Sequence, residues 1–259
     1  MKIKFLSGIL TLLLISCGFN GKEKEETTSV PGFQNNGHEL VYNMVQKVGS
    51  YDLLKTKKDV VYTYTYQTPD GKADISTEKY VFDGEYSYGA YMQHERTLPE
   101  LDGLIEQGYD GSNFWLRHNG EYVESEDQLQ RVKFNRPTNF YWFTMMQKLL
   151  DDGINYEYLG EKTVNNKAYD IVKISFDFAK SKLTDIYQVY INKETGLIDQ
   201  FLFTVVDFGV IETPYLMLLE YENIDGILIP VNRKYKNSTW DAALTNALWI
   251  TVTWKDIKF

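Results

Sequence analysis

From Asp59 to its last residue the chain repeats one pattern: a run of alternating apolar and polar residues, a short turn, then another run. Period two sends alternate side chains to opposite faces of a strand. Turns this short join neighbouring strands antiparallel. Tyr62, Tyr64 and Tyr66 share one face, with Thr63 and Thr65 on the other. Pro69-Asp70-Gly71 is a turn signal. Strands over 75–82 and 86–93 flank Asp83-Gly84, and 113–118 and 121–124 flank Asn119-Gly120, the strongest short hairpin signal. The pattern resumes as hairpins over 156–163 and 168–178, 186–191 and 197–206, and 215–223 and 227–235. A last strand spans 247–259, with Leu248, Ile250, Val252 and Trp254 on one face. We therefore expect eleven or twelve strands in a mainly β (α+β) fold, a long antiparallel meander that must curl or close as it grows. The 20 Tyr, 14 Phe and 5 Trp favour the same class, because aromatic rings suit a pleated, half-buried surface.

One helix precedes the pattern and another interrupts it. Over 37–49, Leu40, Val41, Met44, Val45 and Val48 form one apolar stripe, and Gly49 is a natural stop. Pro137 suits the first turn of a second helix. Trp142, Met145, Met146, Leu149 and Leu150 follow at helical spacing, ended by Asp151-Asp152-Gly153. Phe140, Tyr141 and Phe143 make its start apolar nearly all round, as in a helix buried on more than one side. No boundary interrupts 37–259, which is expected as a single domain.

The first residues carry an address. Lys2 and Lys4 precede a short apolar run over 5–15, too short to span a bilayer but suited to a signal-peptide core. Leu14-Ile15-Ser16-Cys17 then resembles the bacterial lipobox, and Cys17 is the single cysteine of the chain. Residues 1–16 are expected to be a signal peptide, Cys17 the lipidation site, and 17–36 a lipidated flexible tether. Two or three acyl chains give firm attachment where one holds weakly. Loss of Lys2 and Lys4 would lower the net charge from −9 to −11. Residues 22–26 read either as a plain solvated linker or as an acidic surface-export signal. The expected location is the cell envelope, as an outer-membrane lipoprotein on the periplasmic face or the cell surface.

With 36 acidic against 27 basic residues the chain lacks a basic footprint, so no nucleic-acid partner is expected. His38, His94 and His118 lack the i, i+4 spacing of a helical zinc site, although His94 and His118 fall near neighbouring strand ends. No nucleophile elbow, phosphate loop or dinucleotide fingerprint is present, and no metal, cofactor or catalytic residue is assigned. Glu124, Glu126 and Asp127 cluster after a short strand, and Asp151 and Asp152 end a helix. A carboxylate-dependent hydrolase would need two such groups facing across a cleft.

Two segments carry a resemblance. Tyr187-Gln188-Val189-Tyr190-Ile191-Asn192-Lys193-Glu194-Thr195-Gly196-Leu197-Ile198-Asp199-Gln200 resembles a hairpin of the lipoprotein-sorting carrier (LolA/LolB-like) superfamily, and so does Tyr221-Glu222-Asn223-Ile224-Asp225-Gly226-Ile227-Leu228-Ile229-Pro230. The likeness extends to uncharacterised lipoproteins of Gram-negative bacteria. It covers 150–259 by motif and 38–149 by element order. It implies an unclosed half-barrel with helices at its mouth and a concave cavity that binds acyl chains or other lipids. Soluble carriers of that superfamily have no acyl anchor, so Cys17 points instead to a membrane-bound acceptor or a lipid-holding lipoprotein. In acceptors of this kind a loop presents an exposed apolar residue; residues 98–104 are either such a loop or a packed turn.

The leading expectation is a non-enzymatic lipoprotein, anchored to a membrane through Cys17, that binds a hydrophobic ligand. Its candidate ligand-binding residues are Tyr62, Tyr64, Tyr66, Tyr86, Tyr88, Trp142, Met145, Met146 and Leu149. The alternatives are an envelope interaction or structural lipoprotein with a filled core, its protein partner unknown, and the hydrolase.

Overall fold

The computed structural model describes residues 32–177 and 183–259. The expectations for the signal peptide, for Cys17 and for the tether up to residue 31 lie outside the described residues, as does the end of the strand expected to reach 178. Residues 33–259 form one compact unit.

The chain enters through two helices. Helix α1 (Asn36–Val48) is capped by the Asn35 side chain, which accepts from the His38 N–H, and it stops at Gly49 with φ 103°. Helix α2 (Tyr51–Thr56) starts at once, capped by the Ser50 hydroxyl. Six residues are too few to show a helical period, so α2 leaves no clear signal in the sequence.

Thirteen strands follow among the described residues, all in one antiparallel sheet. The first group is β1 (Asp59–Gln67), β2 (Ala73–Val81), β3 (Tyr86–His94), β4 (Ile105–Tyr109), β5 (Phe114–His118) and β6 (Glu121–Tyr122). Helix α3 (Glu126–Lys148) then leads to β7 (Ile154–Val164), β8 (Lys167–Phe176), β9 (Ile186–Asn192), β10 (Ile198–Val205), β11 (Val210–Ile224), β12 (Ile227–Asn237) and β13 (Ile250–Lys258). The spatial order is β6-β5-β4-β3-β2-β1-β13-β12-β11-β10-β9-β8-β7. One meander therefore runs outward from β1, the other runs inward to β13, and the two join along a β1–β13 seam with Tyr64 opposite Trp254. The sheet curls without closing into a barrel, with the helices on its concave side, as the resemblance implies. Asn119-Gly120 and Asp225-Gly226 turn their hairpins with positive φ at both residues (49° and 87°, 50° and 88°), the geometry that matches strand twist.

Three expectations are corrected. First, α3 begins at Glu126, so Pro137 lies inside the helix rather than in its first turn. Glu126 and Asp127 are its first-turn acids, placed favourably for the helix dipole. Pro137 removes the bond to the Lys133 carbonyl, which is tolerable because Pro137 is exposed. Second, β4 was not visible: it has five residues and carries Gly108 beneath the Trp115 ring. Third, the last strand starts at Ile250. Leu248 is 71% exposed and lies on the β12–β13 connection. That connection folds over the convex face, where Trp240 and Trp249 pack near Tyr169, Ile171, Tyr190, Leu202 and Leu216.

Helix α3 crosses the concave face and is gripped along its length. Near its start Val132 packs with Tyr91, Leu98, Ile105 and Leu116. In the middle Phe140 and Phe143 pack with Tyr62, Tyr80, Phe82 and Trp254. At its end Met145, Met146 and Leu149 join Val41, Met44, Val45 and Val48 of α1 over β7 to β11. Between the first two groups Arg136, fully buried, pairs with buried Glu78 (Nη1 to Oε2 2.8 Å) and donates to the Tyr91 hydroxyl at 2.8 Å. Ser76 and Tyr80 also donate to Glu78, at 2.7 and 3.0 Å. Gly89 allows this approach: a Cβ there would lie 2.5 Å from Arg136 Nη1. Leu98 is buried in the first cluster, so 98–104 is a packed turn there, with Leu104 41% exposed.

Candidate functional site

The strand registers place one row of inward side chains across the seam. Tyr62, Tyr64 and Tyr66 alternate inward on β1, and Val252 and Trp254 do so on β13. Arg233 lies opposite Val252, and Tyr235 opposite Ile250 and Met217. Phe203 of β10 and Tyr215 of β11 continue the row. Between this part of the sheet and the side of α3 that carries Phe134, Thr138, Tyr141 and Trp142 lies a cavity of about 840 Å³. That is within the usual range for ligand sites, about 300–1,000 Å³. Its walls carry a group of aromatic rings, Tyr62, Tyr64, Tyr66, Trp142, Phe203, Tyr235 and Trp254, among polar residues such as Asp74, Asn139, Asp185 and Arg233. Its rim includes the exposed residues Arg131, Pro137, Leu183, Asp207 and Phe208.

The candidate ligand-binding residues separate clearly in space. Tyr62, Tyr64, Tyr66 and Trp142 line the cavity. Tyr86 and Tyr88 do not, because they alternate with the inward residues Ser87, Gly89 and Tyr91 and so face the convex side. There Tyr88 donates to Glu106 at 2.6 Å. Met145, Met146 and Leu149 are buried in the cluster between α3 and α1, away from the cavity lining. The periodicity of α3 gave its apolar residues but not which neighbour each would meet.

Arg233, Tyr235, Trp254, Tyr215 and Phe203 were not picked out from the sequence. A signal for Arg233 existed: Ile229, Val231, Arg233 and Tyr235 form one period-two row on β12, and an arginine in an otherwise apolar inward row is out of place. Arg233 is 6% exposed. Its guanidinium lies 3.8 Å from the Trp254 ring centre and 5.8 Å from that of Trp142, and Nη1 donates to the Trp142 carbonyl at 3.3 Å. Its Nε has no hydrogen-bond partner, and no carboxylate lies within ion-pair distance, among the described residues. Burial pushes its pKa down to about 10, against the pull of Tyr64, Tyr62, Tyr80 and Tyr235, so it is charged at neutral pH. Stacking on an aromatic ring returns about 0.5–2 kcal/mol, while burying an ion costs several.

Of the cavity's carboxylates, Asp207 is exposed at the rim, and Asp74 and Asp185 are held by nearby donors. Asp74 accepts from the Arg96 and Thr97 backbone N–H groups and the Thr97 hydroxyl, and pairs with the Arg96 guanidinium at 3.6 Å. Arg96 in turn covers Tyr66, 3.8 Å from its ring centre. Asp185 accepts from the Val206 N–H at 2.8 Å and the Thr204 hydroxyl at 3.3 Å, and burial raises its pKa. Glu124, Glu126, Asp127, Asp151 and Asp152 are outside the lining. His94 bonds to the Gly103 carbonyl and His118 to the Asp102 carbonyl, while His38 stacks on Tyr156. No metal-binding group of three residues occurs among the described residues. No helix among them is long and apolar enough to cross a membrane.

The fold defines the class: an unclosed β half-barrel with an aromatic concave cavity partly roofed by a helix. Residues 118–223 match the model of a family of unknown function, DUF6503. Among solved structures, a DUF1329 family protein from Desulfovibrio piger is similar at 13% identity and TM-score 0.51, covering 87% of this chain and 94% of that one. A LolA superfamily protein from Nitrosomonas europaea follows at 10% identity and TM-score 0.48, covering 86% and 93%. Lipoprotein LppX from Mycobacterium tuberculosis follows at 10% identity and TM-score 0.32, covering 85% and 94%. At 13% identity the likeness to the DUF1329 family protein is one of fold alone. No curated protein sequence matches the chain.

Proposed function

We propose that this protein is a membrane-anchored, non-enzymatic lipoprotein of the cell envelope that holds a lipid or other hydrophobic ligand on the concave face of its half-barrel. The observation that carries this reading is the cavity of about 840 Å³, walled by Tyr62, Tyr64, Tyr66, Trp142, Phe203 and Tyr235. An apolar chain laid against those rings is stabilised by about 25 cal/mol for each Å² removed from water. Tyrosine suits such a wall because its ring packs on hydrocarbon while its hydroxyl stays hydrogen-bonded, as between Tyr66 and Tyr235. Cys17, within its lipobox-like sequence, supplies the anchor in this reading.

Two measurements test the proposal. Native mass spectrometry of the full-length protein, extracted gently from membranes, should show a bound species of lipid mass. A protein recovered empty that also takes up no added hexadecanol would sink the binding reading. Metabolic labelling with an alkyne palmitate should mark the wild type and not Cys17→Ala. Label retained in the variant would remove the anchor.

A further inference from the structure

Among the charged residues that line the cavity, Arg233 is set apart by its pairing. Arg233 is buried, charged and without a carboxylate partner among the described residues, yet it belongs to the lining. Elsewhere on the concave side the chain treats a buried cation differently: Arg136 has Glu78, with Tyr91 as a further acceptor. The other cations at the cavity are Arg96, which is paired with Asp74, and Arg131, which is exposed at the rim. Trp254 occupies one side of the Arg233 guanidinium, and one carbonyl takes Nη1. These contacts hold the planar group in place without balancing its charge. An arginine held this way presents the fork geometry that a carboxylate matches with two parallel hydrogen bonds.

Resting on the reading of the cavity as a hydrophobic-ligand site, we propose that its ligand is a long-chain fatty acid bound as the carboxylate, with its head on Arg233. The match is one to one, a single buried cation without an ion pair against a single anion. Position favours a carboxylate over a phosphodiester. Arg233 is buried while Leu183 and Phe208 stand exposed at the rim, so the head has to pass inward and the tail lead back out. A carboxylate ends one chain and can enter first. A phosphodiester lies between its alcohol and a glycerol that carries two chains, which would all have to pass the aromatic wall. The bound head would also supply an acceptor for the unpartnered Nε.

The test is competition binding to the full-length protein with three ligands: hexadecanoate, hexadecanol and dipalmitoyl phosphatidylglycerol. Wild type should bind hexadecanoate about tenfold or more tightly than hexadecanol, the gain expected from a charge-assisted pair in a dry site. In Arg233→Met that preference should shrink to within about threefold, and Arg233→Lys should keep part of it, because the ammonium retains the charge but loses the fork. Equal binding of acid and alcohol by wild type overturns the carboxylate while leaving the cavity reading intact. Tighter binding of phosphatidylglycerol than of hexadecanoate overturns the fatty acid in favour of a phospholipid. Binding of none of the three removes the cavity reading and this inference with it. If Arg233→Met does not fold, the wild-type comparison and Arg233→Lys still decide the outcome.

Discussion

Arg136 and Arg233 are both buried on the concave side, and among the described residues only Arg136 has a carboxylate. The difference separates a residue that ties the fold together from one that waits for something to bind. Arg136→Met would leave Glu78 buried with its charge uncompensated, held only by Ser76 and Tyr80. The expected loss is about 3–5 kcal/mol of unfolding free energy in urea. The double variant Glu78→Leu with Arg136→Met should recover at least half of that, because it removes both charges together. A double variant as unstable as the single would mean that shape, not charge, dominates there. Gly89 belongs to the same cluster. Gly89→Ala should destabilise by about 1–3 kcal/mol, because a methyl group 2.5 Å from Arg136 Nη1 displaces the ion pair.

Helix α3 makes the contrast at the scale of an element. Its neighbours Trp142 and Phe143 point to different tasks. Phe143 is buried among Tyr62, Tyr80, Phe82 and Trp254, so Phe143→Ala should cost about 3–5 kcal/mol. Trp142 is half-buried at the cavity wall, so Trp142→Ala should cost less stability and more affinity for hexadecanol. Paired urea melts and uptake assays measure the split, and equal effects on both would contradict it. Much of the fold was legible because strands announce themselves through alternation and turn chemistry: the rows on β1, the hairpin at Asn119-Gly120 and the stripe of α1 all follow from local residues. The extent of α3 was not, because its first turns are polar and Pro137 mimics a start. Of the wall, Tyr62, Tyr64, Tyr66 and Trp142 could be picked out. Arg233 stands out in its apolar row on β12, but that it meets Trp254 follows only from the pairing of β12 with β13, a long-range event that local pattern does not encode.

For the molecule as a whole, the tyrosines set the response to alkali. Burial pushes Tyr88 and Tyr156 up to about 12, and it raises Tyr62, Tyr80 and Tyr187 further. The folded values lie above that of an unfolded tyrosine, about 10, so above that pH the folded chain holds more protons than the unfolded one. Stability is therefore fully present below about pH 10 and falls as pH climbs toward the folded values. The urea midpoint should be level up to about pH 9 and drop beyond it, with the last part of the tyrosinate absorbance near 295 nm, from the buried tyrosines, rising together with loss of structure. Complete ionisation at about pH 11 in a chain that keeps its near-ultraviolet dichroism would refute this. The β1–β13 seam has a mechanical meaning as well. Val61 lies opposite Lys258 and Phe82 lies near the terminal Phe259, so the chain enters and leaves the sheet at the same corner. A pull between the segment before β1 and the C-terminus would load the seam as a zipper, one backbone bond after another. The same pull on strands entering from opposite ends would shear the whole ladder at once. The sheet would yield first at its centre, between its two meanders, and each half would part from the other before its own strands separated.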